Sequence, residues 1–212
     1  MDNKAIFQEI EMHLLEDEKP SIFLENLRDN RVLEKSVFKI LGELAYVPQE
    51  PKHHPEGSVW NHTMMVLDEA ALRKGLVKNP KVFLWSALLH DIGKKDTTKM
   101  RHGRLTAYDH DTVGGNIVKD ILSEVSEDKE FIDDVSNLVR FHMHTFYITK
   151  NLPFADKESM IKSVDIRELS LLSLCDRLGR GKLTQRKIEE EKEMINRFLN
   201  IMSYDLKESI KL

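Results

Sequence analysis

The chain has 212 residues, 41% of them hydrophobic and 32% charged, with a formal net charge of −4, a composition expected of a globular protein able to bury a substantial core. That charge lacks the Lys/Arg excess needed to wrap nucleic acid non-specifically. No apolar run approaches the roughly 18–20 residues of a membrane helix, and a single cysteine, Cys175, excludes an intrachain disulfide.

The first ten residues lack the basic-then-apolar pattern of a secretory signal, so a cytoplasmic protein with no membrane contact is expected. Ile6, Phe7, Ile10 and Leu14 mark a first amphipathic helix, and Ser21 reads as the cap of a second carrying Phe23, Leu24 and Leu27. A third helix is predicted over roughly 32–45. The stretch 48–58 holds three prolines and Gly57 and reads as loop; helix resumes near Val59 and runs to about Arg73. Residues 82–92 are apolar on nearly every side, which predicts a buried helix, started by Asn79-Pro80 and stopped by Gly93. His90 and Asp91 emerge where that helix ends, and its outward carbonyls favour a cation there.

Beyond it, 93–108 reads as loop, with a weak strand or hairpin signal at 102–108, and Asp109 as the cap of a helix through Leu122. Further helices are predicted at about 129–143, 157–163, 165–178 and 184–208, the last packing through Ile188, Met194, Phe198 and Met202. Lys94, Lys95, Lys99, Arg101 and Arg104 face a single acid, Asp96, in the run after the His-Asp pair; a solvated loop explains such a run, and so does a role with phosphates. The fold class is all-α, a helical bundle.

Several polar residues lie on apolar stripes. Asp176 shares a face with Leu169 and Leu172, His62 with Val59 and Val66, His142 with Val135, Leu138 and Val139, and His110 with Val113, Gly114 and Ile117. A buried carboxylate is costly unless paired or bound to a metal. Each residue alone has a bland explanation, a hydrogen-bonded core histidine or an aspartate paired with Arg177 or Arg180. Together with His90-Asp91, on separate helices, they fit a metal site built between facing helices. Mixed imidazole and carboxylate ligands suit first-row metals.

The order His62, His90-Asp91, Asp176 resembles the HD superfamily of metal-dependent phosphohydrolases. The stretches Val47-Pro48-Gln49, His54-Pro55-Glu56-Gly57, Trp60 to Asp68, His90 to Lys94 and Phe141-His142 are similar to the HD domain of bacterial CCA-adding tRNA nucleotidyltransferases, as is Phe23 to Asp29 before them. Asp109 and Asp111 stand where that family usually has Gly and Glu beside the histidine. No Gly-rich strand-turn followed by Asp-x-Asp precedes residue 20, so CCA addition is not expected of this sequence.

The helical segments read as one compact unit, with residues 1–46 an N-terminal helical segment packed on the core and 47–212 the HD domain that the resemblance, over about residues 20–181, implies. The resemblance also implies His62, His90, Asp91 and Asp176 as ligands of a divalent metal (Mn, Ni, Co, Fe or Mg), with His110 and His142 either contacting substrate or holding a second ion. Asp91 would orient water, His110 protonate the leaving oxygen, Lys94 offset phosphate charge, and Arg180 and Arg177 grip the phosphate with His142. The implied activity is hydrolysis of phosphomonoesters or 2′,3′-cyclic phosphodiesters of nucleotides or RNA ends. The alternatives are a non-catalytic HD nucleotide- or RNA-binding module, a structural helical bundle, and a two-metal hydrolase of dinucleoside polyphosphates or nucleotides. A separate nucleotidyltransferase and a homodimer stay open as partners.

Overall fold

In the computed structural model, which describes residues 2–207 and 209–212, the apolar run forms α5 (Pro80–Leu89), the element around which the others assemble. Asn79 caps its start by accepting from the Val82 amide, with Pro80 in the first turn. Every residue from Val82 to Leu89 is buried. Each large apolar side chain there contributes on the order of 1.5–3 kcal/mol by leaving water. Around α5 pack α1 (Asn3–Glu16), α4 (Val59–Ala71), α8 (Lys129–Phe141) and α11 (Ile166–Leu178). Phe7 of α1 stacks on Trp85 at 4.9 Å between ring centroids, so the N-terminal helix shares this core.

α2 (Ser21–Asp29) lies against α4. Ser21 does not cap it: Pro20 occupies that position, and the Ser21 hydroxyl donates instead to Asp68 Oδ2 at 2.8 Å. The helix expected over 32–45 is broken. A 3₁₀ turn at Leu33–Lys35, α3 (Lys39–Glu43) and a second 3₁₀ turn at Leu44–Tyr46 replace it. The break falls at Ser36, whose backbone is extended and whose hydroxyl donates to the Leu33 carbonyl, taking the place of a helical hydrogen bond.

After α5, a short α6 (Lys94–Thr97) leads into a hairpin of β1 (Lys99–Arg101) and β2 (Arg104–Thr106), so the weak strand signal was real and began three residues earlier. His102 and Gly103, with φ of 49° and 75°, make its tight turn. α7 (His110–Ser123) packs closely along α8. Asp109 precedes α7 in a left-handed conformation and makes no side-chain cap, contrary to the sequence reading. The predicted helix to residue 143 ends at Phe141, and a separate α9 (His144–Thr149) follows. α10 (Lys157–Ser163) and α12 (Gln185–Leu206) complete the order. The expected end of the last helix, at residue 208, lies outside the described residues, as does Met1. α12 packs through Ile195, Phe198, Leu199 and Met202, while Ile188 and Met194 stay half-exposed. No helix among the described residues is long and apolar enough to cross a membrane.

Candidate metal centre

Four histidines and two aspartates converge at one end of α5. His90 follows α5 directly, His142 follows α8, His110 opens α7, His62 sits inside α4, and Asp176 is in the last turn of α11. All are buried: His62 0%, His90 1%, Asp91 2%, His110 6%, His142 2% and Asp176 7% exposed.

Each histidine is oriented by the same device. Nδ1 of His90 lies 2.9 Å from the Ala87 carbonyl, that of His142 2.6 Å from Val139, that of His110 2.7 Å from Ala107, and that of His62 3.0 Å from Gly179. A carbonyl only accepts, so Nδ1 carries the proton and donates, and Nε2 of the neutral ring keeps its lone pair. For His90 and His142 the accepting carbonyl belongs to the last turn of a helix, where backbone acceptors run short of intrahelical partners; that of Val139 also accepts from the His142 amide. At His90, satisfying the helix end and aiming the ring are thus one interaction. Gly179, which caps α11, can present its carbonyl to His62 because it has no Cβ: one built there would meet the Val66 backbone at 2.7–2.9 Å.

The four Nε2 atoms meet around Asp91. His62 and His90 bring theirs to 3.4 Å of each other, and His110 and His142 to 3.3 Å. Asp91 Oδ2 lies 3.3 Å from His90 Nε2 and 3.6 Å from His62 Nε2; Oδ1 lies 3.4 Å from His110 Nε2 and 3.9 Å from His142 Nε2. Two donor groups therefore share one carboxylate, His62–His90–Asp91 and Asp91–His110–His142. Asp176 Oδ1 joins the first at 3.0 Å from His62 Nε2. Inward lone pairs this close repel unless a proton or cation lies between them, and imidazole with carboxylate is a donor set suited to first-row divalent metals. The residues fit a metal.

The electrostatics agree. Burial drives His110 down to about 4 and also lowers His142, the latter helped by the neighbouring His90, so both rings are neutral near pH 7. Burial opposes charge on Asp91, yet Lys94 and His90 hold its carboxyl well below the usual range, and Arg180 with His62 does the same for Asp176. At His62 burial is outweighed by Asp176 and Glu56, which raise its pKa.

The three expected cationic groups all reach the site, each already engaged. Lys94 Nζ lies 2.7 Å from Asp91 Oδ2 and donates to Gln49 Oε1 at 2.8 Å. Arg180 donates to both oxygens of Asp176 at 3.1 and 3.2 Å, and Arg177 to Glu191 of α12 at 2.8 Å. Together with His110, His142, Asp91 and Asp176 they line a cavity of about 360 Å³, lined also by Leu105, Thr106 and Ala107 of the hairpin and its exit.

Glu56 is a site residue that helical spacing does not single out. Its Oε1 lies 2.8 Å from His54 Nδ1 and 3.1 Å from His62 Nδ1, and the two hydrogen bonds overcome burial to bring its carboxyl down to about 2. The His54-Pro55-Glu56-Gly57 segment just ahead of the Ser58 cap of α4 was the available signal. His144, by contrast, stays out of the cluster: it is 5% exposed, packs on Phe141 and Tyr147, and has no hydrogen-bond partner on either ring nitrogen.

Residues 59–200 match the HD domain family. Among curated relatives, the Multifunctional CCA protein of Pseudomonas fluorescens (strain SBW25) is 38% identical over 104 residues, 49% of this chain and 24% of that protein. That of strain Pf0-1 is 32% identical over 138 residues, 65% of this chain and 32% of that protein. That of Actinobacillus pleuropneumoniae serotype 5b (strain L20) is 28% identical over 176 residues, 78% of this chain. The chain spans 41% of that relative's length, less than half.

Proposed function

This chain belongs to the HD domain family, whose members are generally metal-dependent hydrolases, and from that premise we propose that it is a metal-dependent phosphohydrolase. Its substrates are phosphomonoesters or 2′,3′-cyclic phosphodiesters of nucleotides or RNA ends, in the cytoplasm. The observation that carries the proposal is Asp91, each of whose oxygens faces a different pair of histidine Nε2 atoms at the floor of a cavity with cationic walls.

His62, His90, Asp91 and Asp176 would hold a divalent cation (Mn, Ni, Co, Fe or Mg), and Asp91, His110 and His142 a second. When bound, the cation supplies Lewis acidity toward a phosphoryl oxygen and acidifies water. Asp91 accepts a hydrogen bond from the attacking water and fixes its direction. Lys94 and Arg180 neutralise charge on the phosphoryl oxygens, and Arg177 adds to this where it lines the cavity beside its bond to Glu191. The pairing of His110 with His142 around Asp91 Oδ1 favours two cations over one. In a one-cation version, His110 would carry the proton to the leaving oxygen, and having a neutral ring it must first take that proton from the water.

The same pairing favours a second reading, hydrolysis of nucleoside or dinucleoside polyphosphates. Similarity to Multifunctional CCA proteins supports an RNA-linked role beside a separate nucleotidyltransferase. The test is turnover of 2′,3′-cyclic AMP, p-nitrophenyl phosphate and diadenosine tetraphosphate by metal-stripped protein resupplied with manganese, nickel, cobalt or magnesium. Metal-restored turnover absent from Asp91→Ala supports the proposal, and the preferred substrate separates the two readings. No turnover of any of the three by folded protein overturns both.

A further inference from the structure

The hairpin that walls the cavity carries charge the hydrolytic site does not use. Lys94 and Lys95 are paired with Asp91 and Glu43. Among the described residues, Lys99, Arg101 and Arg104 have no carboxylate partner. The register places Arg101 directly opposite Arg104 and Lys99 opposite Thr106, so all three cations share one face of the ribbon. Like charges directly opposed destabilise a strand pair, and in a chain of net charge −4 their concentration on one ribbon stands out.

The hairpin is anchored for contact. The Leu105 amide donates to Glu50 Oε2 at 3.2 Å, tying β2 to the 48–58 loop, which also lines the cavity. Arg101 donates to Thr106 Oγ1 at 2.6 Å and lies over the Tyr108 ring at 4.8 Å. Tyr108 and Met100 are themselves 63% and 64% exposed. Leu105, Thr106 and Ala107 line the cavity, so the unpaired cations and the exposed ring lie one or two residues outside the place where a substrate phosphate would sit. Cations tracking a backbone beside an exposed aromatic are the two elements of single-strand recognition.

We propose that this hairpin is a contact surface for single-stranded RNA whose phosphate end enters the cavity, with Lys99, Arg101 and Arg104 on backbone phosphates and Tyr108 under a base. The proposal rests on the phosphohydrolase reading for what occupies the cavity, and not for the hairpin's charge.

Binding of a fluorescent ten-nucleotide RNA with a 3′-phosphate tests it by anisotropy across a salt series, for the unaltered protein, a Lys99→Gln/Arg104→Gln double variant and Tyr108→Ala. Removing two phosphate contacts reduces the slope of log affinity against log salt by about 1.4, and each variant weakens binding about tenfold. A double variant that keeps the full affinity and salt slope overturns the proposal. So does binding of anionic phospholipid vesicles that needs the same residues while RNA binding does not. Turnover of 2′,3′-cyclic AMP, run alongside, separates the two claims. Turnover with no hairpin-dependent RNA binding leaves a phosphohydrolase of small nucleotides, and hairpin-dependent RNA binding with no turnover leaves a contact surface on a non-hydrolytic domain.

Discussion

Asp91 Oδ1 stands 3.4 Å from Nε2 of His110, across a gap that closes only because residue 93 is glycine. A Cβ at Gly93 would run into the His110 carbonyl oxygen and meet Gly114 N at 2.6 Å, both backbone atoms that cannot swing aside. Gly93→Ala therefore forces α7 away from the turn after α5. It should cost about 1–3 kcal/mol of stability, the range for overpacking, and weaken cation binding by Asp91–His110–His142 more than by His62–His90–Asp91. Urea unfolding and metal stoichiometry measure the two effects; unchanged stability would mean that the segments have room to part.

Lys94 sits where it both helps and competes. Its ammonium lies 2.7 Å from the Asp91 oxygen that faces His62 and His90. Lys94→Met should bind manganese more tightly, by about tenfold, since a positive charge next to the site is gone. Turnover of a phosphoester should nevertheless fall by about 10²–10³, the loss typical of a missing electrostatic contact. Weaker metal binding in this variant would show that Lys94 only props the carboxylate.

Glu56 buttresses His62 from behind, sharing its Nδ1 with the Gly179 carbonyl. Carboxylates in this position orient a ligand ring and raise its basicity. Glu56→Gln is expected to lower metal affinity about 10–100-fold with an unchanged circular dichroism spectrum. Equal affinity in a folded variant would make the contact incidental.

His144 gives the metal-free protein a pH dependence of definite sign. Burial drives its pKa from 6.5 down to about 4. Between those values the unfolded chain binds a proton that the folded protein refuses, so stability is full above pH 6.5 and falls as pH drops toward 4. His62, with a raised pKa, acts oppositely: its contribution is present at lower pH and lost as pH rises through the raised value. In His144→Phe, urea midpoints measured in chelator between pH 6.5 and 4.5 should fall less steeply, by at most about 3 kcal/mol over the full window. An identical slope would show that His144 already titrates normally in the fold.

Much of this arrangement was legible in the sequence where periodicity and chemistry coincide. The apolar run of α5 left no choice but burial, and histidines at helical spacing with valines and leucines pointed inward. The segment 32–45 reads as one helix because its apolar spacing is helical, whereas in the fold the Ser36 hydroxyl diverts the chain, a local competition that periodicity does not register. Asp109 looked like a cap but takes a left-handed conformation. The role of Glu56 was hidden because it depends on the fold of an irregular loop onto α4. Likewise, nothing in the spacing reveals that the Nδ1 protons of His90 and His142 go to the carbonyls of the helices they follow, which is what turns the Nε2 lone pairs of these two rings inward.

The most direct measurement is calorimetric titration of Mn²⁺ into metal-free protein and into Asp91→Ala. If Asp91 joins the two histidine pairs into one centre, the unaltered protein binds up to two ions with release of protons, because ligand nitrogens and oxygens must be unprotonated, and Asp91→Ala loses binding at both groups. Undiminished binding in Asp91→Ala, or no binding to the unaltered protein, would contradict the account.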